Sequence, residues 1–161
     1  MAKEHREPEL PGAPLSEPRG FAAAGVLGGK IYVVGGFDGR QEFARCDEYD
    51  PSREGGSGSP WQTRSPMSVG RGGLAVATVG EMLFAIGGGW EGYLAYNERY
   101  DPRTNSWSSF ESPITGQWRN LGLAAVGVKL YAVGGWSGAS LSSNEEYQAL
   151  YRVIISRPPR S

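Results

Sequence analysis

The sequence predicts an all-β fold in which one small antiparallel sheet is repeated three times, and three recurring features predict it. The first is a short apolar run ending in a glycine pair: Lys30-Ile31-Tyr32-Val33-Val34-Gly35-Gly36, Met82-Leu83-Phe84-Ala85-Ile86-Gly87-Gly88 and Lys129-Leu130-Tyr131-Ala132-Val133-Gly134-Gly135. The leading glycines stand at 35, 87 and 134, so the spacings are 52 and 47. The second is a tyrosine followed by a tryptophan, Tyr49 with Trp61 and Tyr100 with Trp107. The third is turn chemistry between the runs: Gly28-Gly29, Gly80-Glu81 and Gly127-Val128 each separate two strand-length apolar stretches by two residues, the spacing of a tight hairpin whose positive φ suits glycine.

Taken in order, residues 1–8 are charged and aperiodic and are expected to be a solvated tail. Residues 9–18 read as an orphan fourth strand, because Pro14-Leu15-Ser16-Glu17-Pro18-Arg19-Gly20 matches Pro66-Met67-Ser68-Val69-Gly70-Arg71-Gly72 position for position. The first repeat, 19–70, has strands expected at 21–27, 31–34, 43–49 and from Trp61. Asp50-Pro51 stops the third strand, since proline lacks the amide that a ladder needs. Residues 52–60 form a flexible Gly/Ser loop that lengthens this repeat. The second repeat, 71–117, has strands at 74–79, 82–88, 93–100 and from Trp107. The third, 118–157, has strands at 121–126 and 129–135 and one through 144–147. No Asp-Pro follows Tyr147, so its third strand is expected to run on, or to bend near Ala149 into another. Residues 158–161 close the chain as a tail.

Composition narrows the function classes. The net charge is −1 and basic residues are scattered singly, which gives no nucleic-acid footprint. The apolar runs are far shorter than a membrane-spanning helix, and the charged amino terminus does not resemble a secretory signal, so a cytoplasmic setting is the default. One His and one Cys among 161 residues cannot build a His/Cys metal cluster or a Ser-His or Cys-His couple, so neither a metal nor another cofactor is expected. The glycine pairs lack the following helix that a phosphate cradle uses. Gly70-Arg71-Gly72-Gly73 occurs once, within a strand approach, and is not taken as an RNA-binding box.

Together, the arginine ahead of the first strand, Gly-Gly after the second, the tyrosine on the third and the tryptophan on the fourth resemble the kelch repeat, whose period is about 50 residues. The resemblance implies kelch-type β-propeller blades, here three four-stranded antiparallel blades. Propellers typically need four to eight blades, so three form a partial propeller or half of an oligomeric six-bladed ring. A homodimer would complete such a ring, and strand exchange between residues 9–18 and the third repeat would remove two edges.

Kelch-repeat adaptors of ubiquitin ligases bind acidic peptides through arginines at this repeat position. That resemblance carries the role onto Arg19 and Arg71 directly, and onto Arg119 one position late, because Trp118 fills the aligned slot. A guanidinium fork pairs with a carboxylate through two hydrogen bonds. Loop residues after each glycine pair complete the expected binding set: Phe37, Asp38 and Arg40, then Trp90 and Glu91, then Trp136 and Ser137. No catalytic residue is assigned. Glu48, Glu98, Glu145 and Glu146 precede the repeat tyrosines, and their recurrence suggests structural pairing between blades. The expected function is a non-catalytic module binding a protein or acidic peptide. The alternatives are a carbohydrate-binding protein resembling kelch-type sialic acid epimerases, with Arg19 or Arg71 holding the sugar carboxylate, and a purely structural propeller fragment.

Overall fold

Side-chain alternation lays out the strands, and the turn between the first two strands of each sheet falls where a two-residue glycine signal stands. The computed structural model describes residues 12–90, 97–111 and 118–149. The first sheet contains β1 (Ala23–Leu27), β2 (Lys30–Val34), β3 (Cys46–Tyr49) and β4 (Trp61–Arg64). The second contains β5 (Ala75–Val79), β6 (Met82–Ile86), β7 (Asn97–Asp101) and β8 (Ser106–Phe110), and the third β9 (Gly122–Val126), β10 (Lys129–Val133) and β11 (Asn144–Gln148). Strands are antiparallel and neighbours in space are neighbours in sequence throughout. The third sheet has three strands among the described residues; β11 ends at Gln148, and any continuation past Ala149 lies outside them, as does the expected start of a strand at Tyr93.

Several strand ends differ from the sequence reading: β6 and β10 stop at Ile86 and Val133, so the glycine pairs that follow lie outside the strands. Residues 21–22 and 43–45 are not strand, because Gly20, Phe37 and Glu42 pair there only as isolated bridges. Residues 12–18 are not strand either. They run across the first sheet as residues 64–70 run across the second: Trp61 Nε1 donates to the Ala13 carbonyl at 2.8 Å, and Trp107 Nε1 to the Ser65 carbonyl at 2.7 Å. Any orphan strand is therefore confined to 9–11, outside the described residues.

The sheets stack face to face, in contact mainly through their first strands β1, β5 and β9. Two apolar clusters fill the gaps. Leu27, Tyr32, Val34, Cys46, Leu83, Ala85 and Tyr100 join the first sheet to the second. Ala77, Val79, Phe84, Ile86, Leu121, Leu130 and Ala132 join the second to the third. Fully burying a side chain of Leu, Ile, Val or Phe size contributes roughly 1.5–3 kcal/mol, so these gaps are the main source of stability. The second sheet is covered on both faces. No described residues cover one face of the first or of the third.

Backbone rungs tie the sheets at the Gly-Gly end. Gly36 N donates to Arg71 O at 3.0 Å and Gly88 N to Trp118 O at 2.6 Å. Gly73 N donates to Phe21 O, and Asn120 N to Gly73 O, both at 2.8 Å. Phe21, Gly73 and Asn120 occupy equivalent places and all three have positive φ, at 53°, 69° and 51°.

Candidate functional site

The repeat arginines fall into two environments. Arg19 Nη2 lies 2.8 Å from Asp47 Oδ2 and Arg71 Nη2 lies 2.6 Å from Glu98 Oε2, and both arginine side chains are 0% exposed. Glu98 Oε1 also accepts Ser68 N at 2.9 Å, tying the linker to the second sheet. In place of a solvent-facing fork for a peptide carboxylate, Arg19 and Arg71 offer their charge to acids of their own sheets. The reason lies in the register: Asp47 and Glu98 both stand two residues before the repeat tyrosine and face the arginine side. Adjacent residues of a strand point to opposite faces. Glu48 therefore faces the other way, where it accepts from Lys30 Nζ, Tyr32 OH and Arg64 Nε at 2.7, 2.8 and 2.8 Å.

Asp47 and Glu48 stay ionised. Burial works against charge at Asp47, but hydrogen bonds from Arg45, Arg19 and Thr63 outweigh it and hold the carboxyl below the usual range. At Glu48 burial is likewise outweighed, by Lys30, Tyr32 and Arg64. Near Glu48 a cleft of about 420 Å³ opens at the hairpin end, between Lys30 and Arg64 on one side and Glu81, Pro102 and Arg103 on the other.

Arg119 is different. It is half-buried at the Gly-Gly end, where Nε donates to Gly89 O at 2.6 Å and Nη2 to Trp90 O at 3.0 Å. Its guanidinium carbon sits 4.9 Å from the Trp90 ring centre and 5.5 Å from that of Trp136. Contacts of this kind contribute about 0.5–2 kcal/mol each, depending on exposure. Among the described residues Arg119 Nη1 has no hydrogen-bond acceptor, so one edge of the fork remains available. Trp118, not an arginine, fills the aligned slot, and so Arg119 is turned to the surface instead of inward.

The neighbouring side chains form an apolar collar. Phe21 meets Trp90 edge-on with ring centres 5.4 Å apart. A Cβ at Gly72 would touch both the Trp90 indole and Phe37, so glycine there lets these rings close over the second sheet. Glu42 fixes the loop by accepting Gly72 N at 2.7 Å and Trp90 N at 2.8 Å. Trp136 exchanges two backbone hydrogen bonds with Arg119, at 3.0 and 3.1 Å. Phe21, Trp90 and Trp136 are 55%, 39% and 41% exposed, so the collar is a surface and not a core.

Of the expected binding set, Arg119, Trp90, Trp136 and Phe37 are thus brought together. Asp38, Arg40 and Ser137 are exposed on the flanking loops, where Asp38 Oδ1 accepts Arg40 N and Gln41 N and shapes its own turn. Glu91 lies outside the described residues. Phe21 and Glu42 were not among the sequence candidates. The equivalence of Phe21 with Gly73 and Asn120 is the signal that could have found the first, whereas nothing in the sequence marks Glu42. Among the described residues no three His, Cys, Asp or Glu side chains are grouped to hold a metal ion. No described helix is long and apolar enough to cross a membrane.

Stacked antiparallel sheets, two of four strands and one of three among the described residues, with repeated inter-sheet rungs and a surface built from the loops at one end, define a blade-repeat protein of the β-propeller type. The model of the kelch motif matches residues 18–54 and 70–114, and the chain belongs to the kelch-repeat family. It is 40% identical over 70 residues to Kelch-like protein 6 of Homo sapiens, covering 44% of the chain and 10% of that relative. It is 35% identical over 109 residues to the F-box/kelch-repeat protein SKIP20 of Arabidopsis thaliana, covering 63% and 25%. With Kelch-like protein 36 of Rattus norvegicus the identity is 34% over 100 residues, covering 58% and 16%. The chain therefore spans a quarter or less of the length of these relatives. Kelch-repeat proteins generally mediate protein–protein interactions.

Proposed function

We infer that this chain is a non-catalytic interaction module that takes an acidic segment of a protein partner on the surface formed by Arg119, Trp90, Trp136, Phe21 and Phe37. The observation that carries this reading is the Arg119 fork, oriented by two carbonyl groups between two tryptophan faces, with no acceptor for Nη1 among the described residues. A carboxylate approaching Nη1 forms a charge-assisted hydrogen bond without reorganising the arginine. Aromatic side chains around an arginine are the composition of an interface hot spot. Arg40 and Asp38 stand at its rim. Arg19 and Arg71 act beneath it, holding the sheets that carry the loops. The same reading has two copies complete a six-bladed ring, so that the surface lies at a closed axis.

The test is binding to an array of Asp- and Glu-containing peptides with apolar flanks, with affinity then measured in solution on the best binder. Arg119→Met keeps the stem between the tryptophans and removes the charge. Loss of a charge-assisted hydrogen bond of about 1.5–3 kcal/mol corresponds to at least a tenfold weaker Kd. Equal affinity for the variant would overturn the role of Arg119. Saturable binding of N-acetylneuraminic acid that displaces the peptide and is lost in Arg119→Met would favour the sugar-binding alternative.

A further inference from the structure

The first and third sheets each leave one face uncovered by the described residues, and the chemistry of these two faces is that of an interface the chain already contains. Toward the second sheet, the first presents Ala23, Gly25, Leu27, Tyr32 and Val34. At the same strand positions the third sheet presents Gly122, Ala124, Val126, Tyr131 and Val133 on the face that no other described sheet covers. The two sets match in size and in the Tyr and Val of the second strand, but Leu27 and Val34 are 9% and 0% exposed whereas their counterparts Val126 and Val133 are 65% and 50% exposed. The polar network is copied as well. Lys30 and Tyr32 hold Glu48, which is buried, and Lys129 and Tyr131 hold Glu146, which is exposed.

The opposite face repeats the coincidence. Against the first sheet the second presents Val76, Thr78, Leu83 and Ala85, with Leu83 and Ala85 fully buried. The equivalent positions of the first sheet are Ala24, Val26, Ile31 and Val33. Leu and Ile are isomers and Ala and Val exchange places, so the aliphatic volume is conserved, which packing tolerates well; at the fourth position Val26 stands where the second sheet has Thr78, whose hydroxyl donates to the Val26 carbonyl at 2.8 Å. Val26 is nevertheless 63% exposed.

Backbone groups point the same way. Gly36 N and Gly88 N each donate to the next sheet, whereas Gly135 N, the third in the series, has no acceptor among the described residues. Arg19 O, equivalent to the acceptors Arg71 O and Trp118 O, has no donor among them. A Cβ on Gly35 or Gly87 would collide with the Arg71 or Trp118 carbonyl of the following sheet. The nearest obstacle to a Cβ on Gly134 is Leu141 O of its own sheet, at 3.4 Å, so the following sheet's constraint is met in sequence but not by any described neighbour.

We propose that two copies of this chain associate head to tail about a twofold axis, the Tyr131/Val133/Val126 face of each seated on the Val26/Ile31/Val33 face of the other. Gly135 N then donates to the carbonyl of the partner subunit's Arg19. The occupant is a second copy because the chain carries both halves of the interface at its two ends. Head-to-tail contacts either close or propagate, and two three-bladed arcs close at six blades, leaving no open face. The proposal deepens the ring-completing part of the functional reading and does not depend on the ligand taken at Arg119.

The experiment is mass in solution by light scattering at micromolar concentration, for the chain and for Val133→Asp and Val26→Asp. The expected mass is twice 17.3 kDa for the parent chain and 17.3 kDa for each variant, with the β-sheet circular dichroism retained. Both substitutions fall on residues exposed in the single chain, so loss of pairing without loss of fold is the distinguishing result. A monodisperse monomer of the parent chain overturns the proposal, as does a dimer that both variants leave intact. A species that lengthens with concentration overturns the closed ring. Arg119→Met is expected to leave the mass unchanged, so failure of ligand binding and failure of pairing are read separately.

Discussion

Arg71 is paired with Glu98 where neither meets solvent, their side chains being 0% and 2% exposed. Removing one member of such a pair strands the other, which typically costs about 3–5 kcal/mol. Arg71→Ala is therefore expected to lower unfolding stability by that amount in urea titration, whereas the double substitution Arg71→Met with Glu98→Leu recovers most of it. Arg119→Met, at a half-buried site, is expected to lose less than Arg71→Ala, about 1–2 kcal/mol. Cys46 gives a second check at this scale. It is fully buried, and burial, followed by the negative charge of Asp47, pushes its thiol up to about 12. A thiol with so little thiolate is inert. A thiol-reactive dye is expected to label Cys46 only at the rate at which the chain opens, and rapid labelling of the native protein would contradict that burial. The arginine landmarks were legible in the sequence but their environment was not. Glu48 and Glu98 look equivalent because each lies near a tyrosine, yet Asp47 is the true counterpart of Glu98, and one step along a strand reverses the face. Phe21 was hidden for a similar reason: it stands beside an alanine run that reads as strand, while its positive φ sets it at a rung between sheets.

At the scale of the element, β3 places two ionised carboxylates, Asp47 and Glu48, back to back on its two faces, each 2% exposed. Both have folded-state pKa values below their ordinary ones, so each stabilises the fold at pH values above the ordinary carboxyl range, near 4. That contribution disappears as pH falls through the depressed folded-state values. The urea midpoint is accordingly expected to be flat near neutrality and to drop below about pH 4, with a shallower drop in Glu48→Gln, whose neutral side chain no longer titrates. An unchanged acid slope in that variant would exclude Glu48 as a source of it. The strands themselves were the most legible elements, because alternation and two-residue glycine turns are local signals. Their ends were less so: Phe43-Ala44-Arg45 runs without a turn residue into β3 and reads as its start, but Phe43 N and Arg45 O bond to the Gly-Gly segment instead of to a strand partner.

For the whole molecule, the number of sheets was legible from the repeat and their order of stacking followed, but the packing of loops at the Gly-Gly end was not, since it depends on residues far apart in the chain. Stacking in one dimension makes each sheet depend on its neighbours and on nothing else. In the single chain the second sheet has two covered faces, and its Leu83, Phe84, Ala85 and Ile86 are all 0% exposed. Among the described residues the first and third sheets each have one covered face, so their openings release less buried surface and require less free energy. Hydrogen exchange in the monomeric Val133→Asp variant is therefore expected to be slowest at β5 and β6 and faster at β1, β2, β9 and β10. In the parent chain, if a second copy covers the open faces, the slow class is expected to extend to β1, β2 and β10, since what binds only the closed form suppresses opening by mass action. The same gradient across the three sheets in parent and variant would mean that nothing seats on Val133, and would remove the energetic basis for the ring while leaving the internal stacking of the chain as described.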